Sequence, residues 1–248
     1  MDEPLTLSHA AVDILWEELA LGRLPPPLEI RSVGATMDER AAIRREVWQG
    51  LTDRGLAYRG RLEPEVEDQL AVLVRYDSAI SVFGALDDGE VLRARVSGNS
   101  RFAVLAVQDT ESVHFEPVEP RSLSASIVGV LPNARPFPAR PVTVREQDPL
   151  SSGYLHPVTT PTPDEQEARR MLSCRRERAG YFTVHGRDGR GRHVQAPELA
   201  WTDTVKGRFS SQLRTTRGGR QLATHAPATN SSLAGQLREL LAWVHADD

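Results

Sequence analysis

The densest chemistry in this sequence is cationic. Residues 169 to 192 carry eight arginines, among them Arg169, Arg170, Arg187, Arg190 and Arg192, against two acids, Glu177 and Asp188. Guanidinium forks beside the glycines of Gly186-Arg187-Asp188-Gly189-Arg190-Gly191-Arg192 suit an oxyanion or a nucleic-acid backbone. The rest of the composition argues against nucleic acid, because the chain is net −4 with 6% aromatic residues, and no RRM, KH or zinc-finger pattern interleaves with the arginines. The simpler expectation is a solvated helix face followed by an Asp-Gly turn in an Arg-rich hairpin.

Other reactive residue types are scattered. The seven histidines stand singly, and only His185 and His193 are spaced to meet across a hairpin. They have no Cys or carboxylate companions at ligand spacing, so no metal is expected. Cys174 is the sole cysteine, which excludes an internal disulfide and reads as a small helix residue. Asp87-Asp88-Gly89 lacks the alternating acids of a calcium loop and reads as a turn. Intact GxGxxG, P-loop, GxSxG, HExxH and CxxC patterns are absent, and Glu63, Glu65 and Glu67 fall at an exposed helix start. These readings favour a protein that binds rather than catalyses, with no cofactor.

The elements that must position these residues follow from periodicity. Ser8 caps a helix with Ala11, Val12, Leu15, Trp16 and Leu19 on one face, stopped by Pro25-Pro26-Pro27. Leu28 to Arg31 reads as a short strand. Thr36 and Glu39 form a capping box for a second helix to about Thr52, and Pro64 opens a third. From Ser78 the period changes to two, giving strands near 78–86, 90–96, 101–108 and 112–115 joined by short turns, an antiparallel meander. A short helix over 121–131 follows, then a Pro-, Ser- and Thr-rich stretch with one strand at Val142 to Arg145. Thr162-Pro163-Asp164-Glu165 starts a helix read to about Ala179. Strands near 181–185, 192–196, 207–213 and 221–225 come next, and a final helix carries the stripe Leu233, Leu237, Leu240, Leu241 and Val244.

Helix, four strands and helix thus occur twice, over 64–131 and 164–245, which predicts duplicated halves. The domain reading is 1–145, a linker over most of 146–163, and 164–248, packed as one unit. The acid–base balance differs between the halves, 22 acids to 16 bases in 1–145 and 12 to 14 in 146–248. Within the meander, Leu92, Ala94 and Val96 are expected to face the core, and Val91, Arg93 and Arg95 to form an accessible, mixed apolar and cationic surface for a protein partner. Apolar runs such as 78–86 fall well short of the ~20 residues that span a bilayer. The opening Met-Asp-Glu-Pro has neither a basic n-region nor an apolar h-region, so a cytoplasmic protein is expected. Its cations are 29 Arg and one Lys, Lys206, which points to a GC-rich, actinobacterial genome.

Several strings resemble one family in order and spacing. They are Val12-Asp13-Ile14-Leu15-Trp16-Glu17, Leu21-Gly22, Leu24-Pro25, Pro27-Leu28-Glu29-Ile30, Gly34-Ala35-Thr36 with Glu39-Arg40, and Leu51 with Arg54-Gly55-Leu56. Towards the C-terminus stand Ala179-Gly180-Tyr181-Phe182, Trp201-Thr202-Asp203-Thr204 and Gly207-Arg208-Phe209. Together they resemble the EspG proteins of actinobacterial type VII secretion. The resemblance implies an α+β fold with a central antiparallel β-sheet, helical bundles and a quasi-two-fold repeat. It also implies a cytoplasmic chaperone that binds secreted PE/PPE-type helical heterodimers and delivers them to an ESX machine, without a cofactor. The tight Asp87 to Glu90 link leaves little room for a long partner-gripping loop. Two alternatives are a different protein-binding or regulatory module and an Arg-dependent nucleic-acid binder.

Overall fold

The computed structural model describes residues 4–145, 160–188, 190–216 and 218–246. Most of the expected linker, and Gly189 of the Arg-rich turn, lie outside these residues.

The N-terminal part runs β1 (Leu5–Ser8), α1 (His9–Glu18), α2 (Met37–Asp53), β2 (Ala57–Tyr58), β3 (Arg61–Leu62), α3 (Pro64–Ala71), β4 (Ser78–Ala85), β5 (Val91–Gly98), β6 (Ala103–Gln108), β7 (Ser112–Val118) and α4 (Leu123–Gly129). It is followed by β8 (Val142–Arg145), α5 (Pro163–Leu172), β9 (Arg176–Arg187), β10 (His193–Gln195), β11 (Leu199–Thr204), β12 (Gly207–Thr215), β13 (Gln221–Pro227) and α6 (Asn230–Val244). The helix starts obey local chemistry. Ser8 Oγ accepts the Ala11 N–H at 3.2 Å, and both expected capping boxes, Thr36 with Glu39 and Thr162 with Glu165, form reciprocally. Each cap satisfies an orphan N–H and contributes about 1 kcal/mol.

One antiparallel sheet links both halves in the order β1-β7-β6-β5-β4-β9-β11-β12-β13-β8, with β10 paired to β9. The order is symmetric about the β4–β9 seam, where Ser78 to Ala85 pairs without a break with Gly186 to Ala179. On each side of the seam three strands follow one another outward and a short strand from elsewhere closes the edge. This is the α+β, duplicated order expected from the sequence, except that the second half holds five strands: β11, not foreseen, takes the place in the sheet path expected for the 192–196 strand, and β10 only flanks β9. β8, from the end of the first half, crosses to pair with β13.

One sheet face is covered by α4 and α6 over a central core that includes Ile80, Val82, Phe182, Val184, Trp201, Leu233 and Leu237. The opposite face divides. Its N-terminal side lies under α1 and α3, with Leu15, Trp16, Leu70 and Leu73 packed on Val104, Ala106, Val113 and Phe115. On its C-terminal side, α5 covers only a small cluster of Phe137, Val142, Ala168, Met171 and Phe209.

Other local expectations change as well. The helix opening at Pro163 ends at Leu172 rather than near Ala179. Arg176 to Ala179 joins β9 instead, because pairing with β11 along this stretch, and with β4 at its end, outweighs the modest helix propensity of Arg-Glu-Arg-Ala. Cys174 consequently lies between α5 and β9, half-buried, and is not a helix residue. Leu28 to Arg31 is not a strand but an irregular segment laid across the sheet, with Glu29 N–H bonded to Gln108 Oε1 at 2.8 Å and Gln108 Nε2 donating to the Glu29 carbonyl at 2.6 Å.

Candidate partner-binding surface

The side-chain alternation of β5 sorts as expected in direction. Leu92, Ala94 and Val96 enter the central core, and Val91, Arg93 and Arg95 occupy the other face. Neighbouring strands extend that second face in register. Arg93 stands opposite Phe83, Phe83 opposite Tyr181, and Tyr181 opposite Ala200, so one row crosses four strands. Directly opposed side chains in such a row interact. The Phe83 and Tyr181 rings are 6.0 Å apart, and the Arg93 guanidinium carbon lies 5.4 Å from the Phe83 ring centroid. A parallel row runs Val91, Ala85, Ala179 and Thr202. Val91 is 44% and Tyr181 41% exposed, whereas Arg93 is partly covered by its 2.9 Å ion pair with Glu29.

Arg95 departs from the expectation of an accessible residue, being 3% exposed. Pro25-Pro26 and the end of α3 close over that end of β5. Arg95 donates from Nη1 to Ser81 Oγ at 2.8 Å, with the Pro26 carbonyl at 3.5 Å, and from Nε to the Leu73 carbonyl at 3.3 Å. Period two correctly assigns its face, but only long-range packing decides that the face is covered there. In its place the structure supplies Phe83 and Tyr181, both on strands across the seam from β5 or next to it. Tyr181 sits in the Ala179-Gly180-Tyr181-Phe182 string, and its alternation with buried Phe182 is the signal that marks it as outward.

The remaining candidates separate cleanly. His185 and His193 lie on the same face, but Gln195 rather than His193 is opposite His185, so the two imidazoles are diagonal neighbours. The Arg-rich turn is held by Asp188, whose carboxylate accepts the N–H groups of Arg190 and Arg192 at 3.0 and 2.8 Å and the Arg192 side chain at 2.7 Å. The Arg192 backbone bond, followed by its side chain and the Arg190 N–H, keeps the Asp188 carboxyl below its usual range. Among the described residues, no group of three or more His, Cys, Asp and Glu is placed to hold a metal, and no helix is long and apolar enough to cross a membrane. Sequence reading did not anticipate that Ser78 Oγ meets His245 Nε2 at 2.8 Å while His245 Nδ1 faces the Arg187 carbonyl at 2.9 Å. These contacts fasten the end of α6 to β4 and β9, an approach that requires Gly186: a Cβ there would lie 2.5 Å from Val244 Cγ2.

A profile of the EspG family matches residues 8–239, nearly the whole chain. The chain belongs to the EspG family. Among solved structures, the type VII secretion system chaperone EspG5 of Mycobacterium tuberculosis, determined in complex with a PE25–PPE41 dimer, has the same fold. It matches with a TM-score of 0.67 at 17% identity over 96% of each chain. A putative adenylate cyclase from Bacillus halodurans aligns at 10% identity over 82% of this chain and 87% of its own, with a TM-score of 0.14. No curated relative matches.

The strings that resemble EspG proteins prove to be fold determinants. Gly34 has φ +81°, and a Cβ on it would lie 2.7 Å from the Arg40 backbone. That close approach lets Glu39 cap residues 35 and 36 while Arg40 reaches Asp13 at 2.8 Å and also pairs with Glu17. In the C-terminal strings, Trp201 lies over Gly84 and Gly180, which face each other across the seam; a Cβ on Gly180 would stand 2.9 Å from Trp201 Nε1. Asp203 and Arg208 are 3% and 0% exposed and form a two-bond fork at 2.5 and 2.8 Å. Arg208 also stacks 5.3 Å from the Trp201 ring centroid and bonds Asn230 of α6 and the Pro132 carbonyl.

Proposed function

We propose that this protein is a cytoplasmic, non-catalytic chaperone that holds a PE/PPE-type helical heterodimer and delivers it to a type VII (ESX) secretion system. The observation that carries the reading is the EspG family match over residues 8–239. The shared fold with EspG5, which was solved in complex with a PE25–PPE41 dimer, supports it. The client surface is the outward face at the seam, formed by Val91, Phe83, Tyr181 and Arg93. Aromatic and Arg side chains at the centre of a protein interface supply large contact area and forked donors, which is why they dominate binding energy.

The test is co-expression with PE/PPE heterodimers from the same genome, followed by size-exclusion chromatography of the purified chain. A stable ternary complex is expected. Separate elution of the chain from every such heterodimer, with the chain folded by circular dichroism, overturns the reading.

A further inference from the structure

Arg95 is a buried cation with no carboxylate. Its hydrogen bonds go to neutral oxygens, those of Ser81, Leu73 and Pro26, and none of the ion pairs among the described residues includes it. A guanidinium stays charged in proteins, so these neutral acceptors leave its charge without a counter-ion. The Tyr76 ring lies 4.9 Å from its central carbon, a cation–π contact, and the Tyr76 side chain is also a hydrogen-bond partner, so the charge is partly offset but meets no carboxylate. Burial pulls the Arg95 pKa below the usual arginine value, and Tyr76 acts in the opposite sense.

The side chain lines a cavity of about 220 Å³ whose other walls include Tyr76, His185, His193, Leu73 and Pro26. Sites for drug-sized ligands are larger, roughly 300 Å³ and above, so this volume suits a small group. Its ionisable side chains are Arg95, His185, His193 and Tyr76, with no carboxylate among them. His193 stands exposed at the mouth with its ring edge-on to Tyr76, 5.9 Å between centroids, and His185 is half-buried. The His185 imidazole is held below its usual pKa by burial first, then by the charge of Arg95 and by His193. Burial disfavours charge of either sign there, and it is the Arg95 charge lining the cavity that attracts an anion.

We propose that the Arg95 cavity is a binding site for one small oxyanion, a carboxylate or phosphate group, taken by the Arg95 guanidinium at its floor and the His193 and His185 imidazoles at its mouth. The group enters past His193. Its source is either a free anion or an acidic side chain or terminus of another chain, and the chemistry of the site is the same for both. The proposal is independent of the secretion reading and stands or falls without any client.

The test uses the full chain at pH 7 and constant ionic strength, with sodium chloride replaced stepwise by sodium phosphate or sodium acetate. Histidine ring NMR signals and the melting temperature are followed. Saturable shifts of the His185 and His193 signals are expected with at least one anion, with the Tm rising by roughly 4 °C when that anion stands tenfold above its Kd. A response to phosphate alone assigns the site to free phosphate, and a response to acetate assigns it to carboxylates. Arg95→Met is expected to abolish the saturable response. His193→Ala, at an exposed position that leaves folding intact, is expected to weaken binding several-fold, which keeps the test valid should the first variant fail to fold. No saturable response to either anion beyond chloride, or an undiminished response in His193→Ala together with Arg95→Met or with a failure of that variant to fold, overturns the proposal.

Discussion

Two buried arginines on opposite sides of the β4–β9 seam meet opposite fates. Arg208, in the C-terminal half, faces Asp203 through a two-bond fork, lies against Trp201 and ties β12 to α6 through Asn230. Arg95, in the N-terminal half, is almost as deeply buried but has only neutral oxygens and a ring beside it, and it borders a cavity. Desolvating a charge costs several kcal/mol, which a well-formed buried pair offsets and an unpaired cation does not. The comparison separates a charge that completes a core from one that is available to a ligand.

The largest expected effect breaks the first member of this pair. Asp203→Ala leaves Arg208 buried without its carboxylate and is expected to lose about 3–5 kcal/mol in urea denaturation. In the same assay Arg95→Met, which removes a cation that lacks an acid partner, is expected to be neutral or stabilising. Equal losses in the two variants would erase the distinction.

Gly180→Ala sharpens the Arg208 side. The added Cβ would meet the Phe83 carbonyl at 2.4 Å and Trp201 Nε1 at 2.9 Å, displacing the indole on which Arg208 stacks. Overpacking of this kind costs about 1–3 kcal/mol, and a melting temperature equal to the parent's would show that the Trp201 layer is loose.

The surface between the two arginines is next. Arg93→Glu combined with Tyr181→Ala is expected to weaken binding of a PE/PPE heterodimer by about 2 kcal/mol, measured by calorimetric titration. Both side chains are partly or largely exposed, so folding stability should move by no more than about 1 kcal/mol. Unchanged affinity would place the client elsewhere.

The smallest effect concerns pH on the Arg95 side. The folded pKa of His185 is lowered, so the unfolded chain takes up its proton first on acidification. The contribution of His185 to stability is therefore complete above its unfolded value of about 6.5 and is lost as pH falls through the lower folded value. His185→Gln is expected to flatten the stability profile in that window, and an unchanged slope between the variant and the parent would show that another group carries it.

Much of the local architecture was legible in the residues alone. Thr36 with Glu39 and Thr162 with Glu165 mark helix starts because a capping box is satisfied within four residues, and the stripe Leu233, Leu237, Leu240 and Val244 buries as its spacing demands. The meander from Ser78 to Val118 followed from alternation and turn chemistry, and the duplicated order followed from listing the elements. β11 escaped because Asp203 occupies an inward position of its alternating pattern, and an acid in a core row reads as a break until Arg208 is placed beside it.

What the tertiary structure alone decided are the relations between distant segments. Period two put Arg93 and Arg95 on one face, yet the chain from Pro25 to Glu29, more than sixty residues away, partly covers the first and encloses the second. Helix-forming residues after Leu172 became strand because pairing partners on both sides of β9 outweigh a propensity of a few tenths of a kcal/mol per residue. Hairpin spacing brought His185 and His193 near each other in the sequence, but Tyr76 and Arg95 join them around one cavity only because β9, β10 and the segment after α3 converge there. Local hydrogen bonds and side-chain period act over a few residues and are written in the sequence, whereas burial is a property of which surfaces meet, and that is settled only when the whole chain has packed.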